Sequence, residues 1–499
     1  MRPEEIAAAG ADTAPFADHL TAPRGLGKLA GAAHAGAAGG SRCGDVVRFA
    51  VRLDGDAVAE AGFDGSGCAA LTAAASAAVE LAEGSRLLAV ARTTPAHLAD
   101  ALGGLDAAHR HAATLVADAL HRAIGAAVAD GAASVEAAPC RTLVAMSGGV
   151  DSTVAAQLAL DAGDEVVAVT LELWSDAGTD GSASCCSPQA VTGARALAHS
   201  MGLPHFTLDL RGSFRSRVVD DFVAEYERGR TPNPCVRCNG SVRFDAMLRL
   251  AGALGARRLA TGHYARIAHV DGSALLTAAT DTSKDQTYML SRLEPRELER
   301  LWFPLGELTK PQVRELAHAS GSPVAAKRES QDLCFLAGTR REQFLDRHGS
   351  RAEGSAGELV DLAGAVLGRH AGHENFTVGQ RRGLGIAAGE PLYVVRKDAA
   401  TNRVTVGPRS ALRTRSVTLV DARLHRPSAD VDRVKLRYGA APVACRVEGA
   451  AGPGRHRGLR LALADPVDGV APGQTASLMR GDVVLGAATI AEQEIALAA

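Results

Sequence analysis

The string Ala145-Met146-Ser147-Gly148-Gly149-Val150-Asp151-Ser152 stands directly behind a short apolar run, Thr142-Leu143-Val144. A strand is expected to end there and a helix to begin, running from Thr153 through Leu160 and closed by Gly163. Two adjacent glycines tolerate positive φ and let the backbone come close to a ligand. The following helix start offers unpaired N–H groups and the positive end of a dipole. The turn is therefore an anion cradle suited to the phosphates of a nucleotide. No lysine closes it, so it differs from the Gly-Lys-Ser/Thr loop whose lysine reaches the β/γ-phosphates.

Strands and helices alternate from Cys140 onward. Candidate strands are Thr142–Ala145, Val166–Leu173, His205–Asp209 and Arg258–Thr261, with helices between them such as Ala190 to Met201. That alternation predicts an α/β unit built on a parallel, doubly wound sheet. Such sheets bind ligands at the carboxyl ends of their strands, where the glycine turn lies.

At 499 residues the chain has room for about three or four domains. Four are expected. Residues 1–135 form an α+β unit, with strands at Val46 to Leu53 and Val58 to Phe63 and helices at about Ala69 to Glu83 and His109 to Ala129. Asp130 to Pro139 reads as a linker. Residues 136–345 carry the doubly wound sheet, 346–411 a small central domain, and 412–499 a series of short strands predicting a β-barrel or sandwich.

A net charge of -2 says nothing against binding RNA, since a local basic face suffices. No charged-then-apolar leader and no apolar run of 18 residues is visible, which predicts a cytoplasmic protein without a membrane partner. Nine cysteines in such a chain point to thiol chemistry or metal more than to disulfides.

Two cysteine motifs stand out. In Gly229-Arg230-Thr231-Pro232-Asn233-Pro234-Cys235-Val236-Arg237-Cys238-Asn239, two prolines stiffen the lead-in. The Cys-x-x-Cys is expected on a loop entering a helix at Phe244 to Leu254, where a helix start and nearby arginines favour thiolate. Alone it fits a redox pair, half a zinc site or half a cluster site. The second motif is Glu329-Ser330-Gln331-Asp332-Leu333-Cys334-Phe335, whose cysteine alone reads as a core residue. Cys140 and Cys445 look incidental, and Cys185-Cys186 structural.

The Ser-Gly-Gly-Val-Asp-Ser string resembles the PP-loop of N-type ATP pyrophosphatases, which hold the β,γ-pyrophosphate as leaving group. Downstream follow the Cys-x-x-Cys motif, Ala260-Thr261-Gly262-His263-Tyr264, Lys284-Asp285-Gln286-Thr287-Tyr288, the Cys334 motif and Gly379-Gln380-Arg381-Arg382-Gly383-Leu384-Gly385. In that order, over roughly residues 140–499, they are similar to the tRNA-specific 2-thiouridylase (MnmA) family.

The resemblance implies ATP-dependent replacement of the C2 oxygen of a wobble uridine by sulfur, with ATP and Mg2+ as cofactors. It implies tRNA and a sulfur donor, such as a cysteine desulfurase or sulfur relay protein, as partners. Ala145, Met146, Ser147, Gly148, Gly149, Val150, Asp151, Ser152, Leu171 and Gly262 would line the ATP site. Cys238 would be the nucleophile and Cys334 the persulfide carrier. Asn233, Pro234 and Cys235 would face the base. Lys284, Asp285, Gln286, Arg437 and Tyr438 would contact tRNA, and His263 and Gln380 would help place nucleotide or tRNA. A rival account in the same family makes Cys235, Cys238 and Cys334 ligands of a 4Fe-4S cluster, which the presence of Cys235 favours.

The first unit is similar to the NifU/IscU-type iron–sulfur scaffold through Asp18-His19-Leu20, Ala22-Pro23-Arg24, Gly27, Cys43-Gly44-Asp45 and Gly65-x-Gly67-Cys68. It departs at the third cysteine, where His111 is followed by Ala112. Cys43, Asp45, Cys68 and His111 are left as candidate ligands for Zn2+ or an iron–sulfur cluster. The alternatives are a remnant that only docks a sulfur donor, another PP-loop tRNA thiolase, and a non-enzymatic iron–sulfur or sulfur carrier.

Overall fold

The computed structural model describes residues 13–40, 44–176, 187–327, 333–336, 338–349 and 356–493. Cys43, Cys185, Cys186 and the Glu329 to Asp332 part of the second cysteine motif lie outside these residues.

The N-terminal unit is an antiparallel sheet of β1 (Ala35–Gly39), β2 (Val46–Asp54) and β3 (Ala57–Ser66), covered by helices that include Ala69–Ala82 and Arg110–Ala129. β1 contains only alanine and glycine, so it carries no β-branched signal in sequence. The Arg110–Ala129 helix is long and apolar enough to cross a membrane by composition, but it is a mostly buried core helix. Glycines let it pack against backbone on two sides. A Cβ at Gly36 of β1 would lie 2.3 Å from the Ala119 carbonyl oxygen. A Cβ at Gly125 would lie 2.0 Å from the carbonyl oxygen of Thr207, in the next domain.

That next domain holds β4 (Ala138–Ala145), β5 (Glu165–Glu172), β6 (His205–Asp209) and β7 (Ala256–Thr261). A hairpin, β8 (Arg266–Val270) and β9 (Ser273–Thr277), precedes β10 (Leu301–Trp302). The parallel sheet has the order β10-β7-β4-β5-β6, as the alternating pattern predicted. The chain leaves β4 toward β5 and β6, then returns on its other side as β7. The switch point therefore falls at the carboxyl end of β4, beside the glycine turn.

A mixed sheet of β11 (Gly357–Val360), β12 (Val366–His370), β13 (Tyr393–Asp398) and β14 (Arg403–Gly407) follows, packed on Phe376 and Leu384. The last domain is a closed barrel of β15 (Arg413–Leu424), β16 (Arg433–Lys435), β17 (Val443–Val447), β18 (Gly454–Asp468), β19 (Thr475–Arg480) and β20 (Val483–Ile490). Pairing of β15 with both β18 and β20 closes it. Two of its strands are long rather than short, β15 with 12 residues and β18 with 15, because each bends through register shifts and serves the barrel along its length. The β8–β9 hairpin of the preceding domain extends the barrel sheet at β20, an attachment with no periodic signal in sequence.

Candidate active site

The glycine turn is fixed from both flanking elements. Met146 N–H donates to the Val169 carbonyl (2.8 Å), and Thr170 Oγ1 donates to the Met146 carbonyl (2.8 Å), so β5 holds the first residue of the turn. Gly148 adopts φ +68, which explains the need for glycine there. Ser152 Oγ accepts from Ser147 N–H and donates to the Gly149 carbonyl, both at 3.1 Å. The Val150–Asp161 helix starts directly behind, its first-turn N–H groups lacking intrahelical acceptors. Met146 and Val150 bury their side chains and so offer only main chain. Leu171 is 9% exposed at the end of β5. Gly262, at the end of β7, lies against the helix start: a Cβ there would be 2.8 Å from the Asp151 carbonyl carbon and 2.9 Å from Ser152 N.

Two lysines distant in sequence reach this loop. Lys310 Nζ donates to both Asp151 carboxylate oxygens, at 2.7 and 2.9 Å, and Tyr264 OH donates to Asp151 Oδ1 at 3.0 Å. Lys327 Nζ donates to the Gly148 carbonyl at 2.9 Å. Sequence reasoning saw a loop without lysine and missed both. The capping box between Thr309 and Gln312 starts the Lys310–Ala319 helix and fixes Lys310 at its head, but it does not tie either lysine to the glycine turn.

The first cysteine motif lies on a helical turn, Pro234–Cys238, not on a loop. Asn233 caps it, Oδ1 accepting from Val236 N–H at 3.1 Å, and Pro234 occupies the first position, where no N–H is needed. Cys235 and Cys238, three residues apart, share one side of the turn. Cys238 is 6% exposed and Cys235 half-buried. The arginines around them are engaged elsewhere: Arg237 with Asp221 (3.2 Å) and Arg230 with Glu225. Cys334 is half-buried against the same apolar cluster that contains Cys238. Its neighbour Phe335 packs on Phe222 (5.1 Å between centroids) and Phe214 (6.0 Å).

The residues expected to touch tRNA divide. Arg437 and Tyr438 are exposed on the turn after β16, where Tyr438 lies 6.3 Å from Tyr288 between ring centroids. Gln286 and Asp285 turn inward. Gln286 Oε1 accepts from Tyr264 N–H (2.9 Å), and Asp285 accepts from Thr287 Oγ1 (2.7 Å) and faces Lys435 Nζ at 3.5 Å. Gln380 braces its own turn, accepting from Thr377 N–H at 3.0 Å and donating to the Arg382 carbonyl at 3.0 Å. His263 packs between Phe244 and Phe303, where burial and the charge of Arg243 push it down to about 3, so its ring is neutral.

In the N-terminal unit, Asp45, Cys68 and His111 bring one ligand atom each to within 4.8 Å of one another, the one such group among the described residues. Cys68 Sγ and His111 Nε2 each lie 3.1 Å from Asp45 Oδ2. His111 Nδ1 donates to the Ala108 carbonyl (2.8 Å), which orients the ring so that Nε2 faces the site. Gly67 is required: a Cβ there would be 2.7 Å from Asp45 Oδ1. Ala112, at the third-cysteine position, is fully buried. The donor set of carboxylate, thiol and imidazole fits a zinc-sized ion.

Comparison with known proteins agrees with these pieces. The model described as "NifU-like N terminal domain" matches residues 12–129, and "tRNA methyl transferase HUP domain" matches 140–338. "tRNA methyl transferase PRC-barrel domain" matches 342–408, and "Aminomethyltransferase beta-barrel domain" 410–490. A protein of Rubrobacter xylanophilus named "Bifunctional protein NifU/MnmA" is 44% identical over 490 residues, covering 96% of this chain and 98% of that one. A "tRNA-specific 2-thiouridylase MnmA" of Zymomonas mobilis is 42% identical over 355 residues, covering 70% of this chain and 93% of its own.

Proposed function

The chain belongs to the NifU/MnmA family, tRNA 2-thiouridylases with a NifU-like domain at the front, and on that footing we propose that it activates the C2 oxygen of a tRNA wobble uridine with ATP and replaces it with sulfur delivered through Cys334 and Cys238. The observation that carries this reading is the lysine-supported glycine turn at the carboxyl end of β4, in one domain with the paired cysteines of the Pro234–Cys238 turn.

A uracil C2 carbonyl loses its oxygen reluctantly. Its attack on the α-phosphate of ATP expels pyrophosphate and leaves an O-adenylated uridine, from which AMP departs readily. The N–H groups of the Val150–Asp161 helix start, with Lys310 and Lys327 beside them, would receive the pyrophosphate in this reading. Mg2+ would supply charge neutralisation between the phosphates when bound, and Asp151 is the carboxylate of the turn that would hold it, in exchange for its contacts with Lys310 and Tyr264.

A persulfide on Cys334 is the sulfur source in this reading. The Cys238 thiolate attacks Cys334 Sγ, the terminal sulfur leaves as hydrosulfide, and a Cys238–Cys334 disulfide forms. Hydrosulfide adds to C2, and AMP leaves with the former C2 oxygen. An external dithiol then reduces the disulfide by two electrons, and a donor protein reloads Cys334. Methyl transfer, the word used in two of the matching descriptions, requires neither a pyrophosphate cradle nor paired thiols. We place the reaction in the cytoplasm, with tRNA.

Incubation with ATP, sulfide or a charged sulfur donor and unmodified tRNA, followed by nucleoside mass analysis, tests the reading. The expected product is 2-thiouridine, with one pyrophosphate released per sulfur, and it disappears in Cys238→Ser. Release of pyrophosphate without thiolated nucleoside would point to a different acceptor. The position of Cys235 beside Cys238 on one helical turn favours a second reading, in which Cys235, Cys238 and Cys334 hold a cluster. Anaerobic purification and an iron count decide it: full activity without iron removes the cluster.

A further inference from the structure

The parallel sheet ends at β6, and an edge strand presents a row of main-chain groups that its sheet does not pair. The pairing shows which groups these are. The Pro204 carbonyl accepts from Ala168 N–H on β5 (2.8 Å), so His205 N–H, the other side of the same peptide, points away from the sheet. Thr207, two residues on, directs its main-chain groups the same way. Both residues are nonetheless buried, at 0% and 1% exposure.

The N-terminal unit covers them. His205 N–H donates to the Ala91 carbonyl at 2.9 Å. The Arg110–Ala129 helix lies against the Thr207 carbonyl at Gly125, where a Cβ would stand 2.0 Å from that oxygen. Glycine inside a helix is costly relative to alanine, and the close approach accounts for it here. Asp118 of the same helix accepts from Arg195 Nη2 at 2.6 Å, and Arg195 Nη1 reaches Thr207 Oγ1 at 3.5 Å.

The covered strand is tied in turn to the glycine turn. His205 Nε2 and Thr170 Oγ1 are 2.8 Å apart, and Thr170 Oγ1 donates to the Met146 carbonyl, also at 2.8 Å. The hydroxyl has one proton, and the Met146 carbonyl can only accept. Both contacts are satisfied when His205 Nε2–H donates to Thr170 and Thr170 donates to Met146. His205 Nδ1 is then unprotonated, and it has no hydrogen-bond partner among the described residues. Three buried residues thus connect the edge of the sheet to the first residue of the turn.

We propose that the N-terminal unit is a working part of the thiouridylase: it closes the open edge of the parallel sheet at β6, and through His205 and Thr170, acting as positioning residues, it holds the root of the glycine turn in shape for ATP. The inference rests on the reading of that turn as the ATP site.

The test is made on the full chain. Gly125→Ala pushes the N-terminal helix off the Thr207 carbonyl. Thr170→Val breaks the relay while keeping the shape, and Thr170→Ser keeps the hydroxyl. Equilibrium ATP binding is measured beside amide exchange at Met146 and Ser147, whose N–H groups are bonded to Val169 and Ser152. Gly125→Ala and Thr170→Val are each expected to weaken ATP about tenfold and to speed exchange at the turn, while Thr170→Ser stays within about twofold of wild type. Because both variants act on one route, the double variant should lose about tenfold rather than about a hundredfold. Affinity for an anticodon stem–loop RNA and exchange in β19 of the barrel should not change, which separates the effect from general loosening of the fold. Asp118→Asn weakens the same junction without added bulk and replaces Gly125→Ala if that chain does not fold. Wild-type ATP affinity and wild-type turn exchange in the folded junction variant overturn the inference, as does a double variant that loses the full product of the single effects. If wild type binds no ATP but exchange at the turn responds as expected, the ATP reading of the turn fails and the cap stands. If wild type binds ATP and thiolates tRNA, and the variants bind ATP normally, only the cap fails.

Discussion

Lys310 Nζ stands 2.7 Å from Asp151 Oδ1 across 159 residues of sequence, and the pair borders the glycine turn. Lys310 is 7% exposed, and its main-chain N–H is tied to Asp281 Oδ2 at 3.0 Å, so the ammonium is held in position rather than reaching in from solvent. Replacing it with alanine leaves the Asp151 carboxylate facing incoming phosphates without its counter-charge. Lys310→Ala is expected to lower kcat/KM for ATP about 30-fold, roughly 2 kcal/mol, while anticodon stem–loop affinity stays unchanged. Pyrophosphate release at varied ATP measures the first and RNA binding the second. An unchanged ATP dependence would remove Lys310 from the site.

The contact between Gly262 and the helix start makes a separate prediction. No Cβ fits where the Asp151 carbonyl carbon is 2.8 Å away. Gly262→Ala must push β7 from the Val150–Asp161 helix and distort the first-turn N–H groups. We expect at least a 100-fold loss of pyrophosphate release with a destabilisation of about 1–3 kcal/mol. Paired activity and urea unfolding measurements check whether the loss is local.

The parallel sheet and the glycine turn were legible because both rest on short-range pattern: apolar runs of strand length, and glycines where a turn demands positive φ. Lys310 and Lys327 were not, because their role comes from tertiary placement and no local spacing records it. The Cys-x-x-Cys was expected on a loop; Asn233 and Pro234 are a cap and a first helical residue, a signal present in the sequence but outweighed by the two prolines. Gln380 and Asp285 show the opposite limit. Motif resemblance marked them for tRNA, and only the structure shows the local bonds that hold them, Gln380 within its own turn and Asp285 to Thr287 and Lys435.

The N-terminal unit is joined to the catalytic sheet by a buried ionic network. Asp118 accepts from Arg122 Nε (2.9 Å) and Arg195 (2.6 Å), while Arg122 also binds Glu172 at the end of β5. Glu172 is 1% exposed, so deleting Arg122 strips a buried carboxylate of its main partner. Arg122→Ala is expected to cost about 3–5 kcal/mol. It should also split a single urea transition into two, as the N-terminal unit loses its anchor. One unsplit transition at the wild-type midpoint would show that the network contributes little.

Three histidines at the same junction make stability depend on pH. The His121 ring lies 5.1 Å from that of His199 and 6.2 Å from that of His205. Burial, aided by the Arg195 charge, pushes His121 down to about 3, His199 to about 4 and His205 well below its ordinary value. Above pH 6.5 folded and unfolded chains both hold these rings neutral and nothing changes. Below it the unfolded chain binds protons that the folded one refuses, so stability falls as pH falls, down to about pH 4 for His199. Each ring contributes a slope of about 1.4 kcal/mol per pH unit. His199→Gln should flatten the decline between pH 6.5 and 5 by roughly that amount, read from urea unfolding at several pH values. Identical slopes would mean His199 titrates normally.

The Asp45, Cys68 and His111 group should bind Zn2+ in a way set by its thiol. Burial first, then the hydrogen bond to Asp45, pushes the Cys68 thiol above its ordinary value. A thiol must lose its proton to ligate, so metal competes with that proton throughout the neutral range. Apparent affinity should rise about tenfold per pH unit between pH 6.5 and 8.5, measured by competition with a chromogenic chelator. His111→Ala removes a ligand atom, Nε2, that the Nδ1 contact with the Ala108 carbonyl already points at the site, and should weaken binding at least 100-fold. Cys68→Ser should weaken it too and abolish the pH slope, since no thiol proton is then displaced. A slope that survives in Cys68→Ser would assign the displaced proton to another thiol, with Cys43 the next to vary.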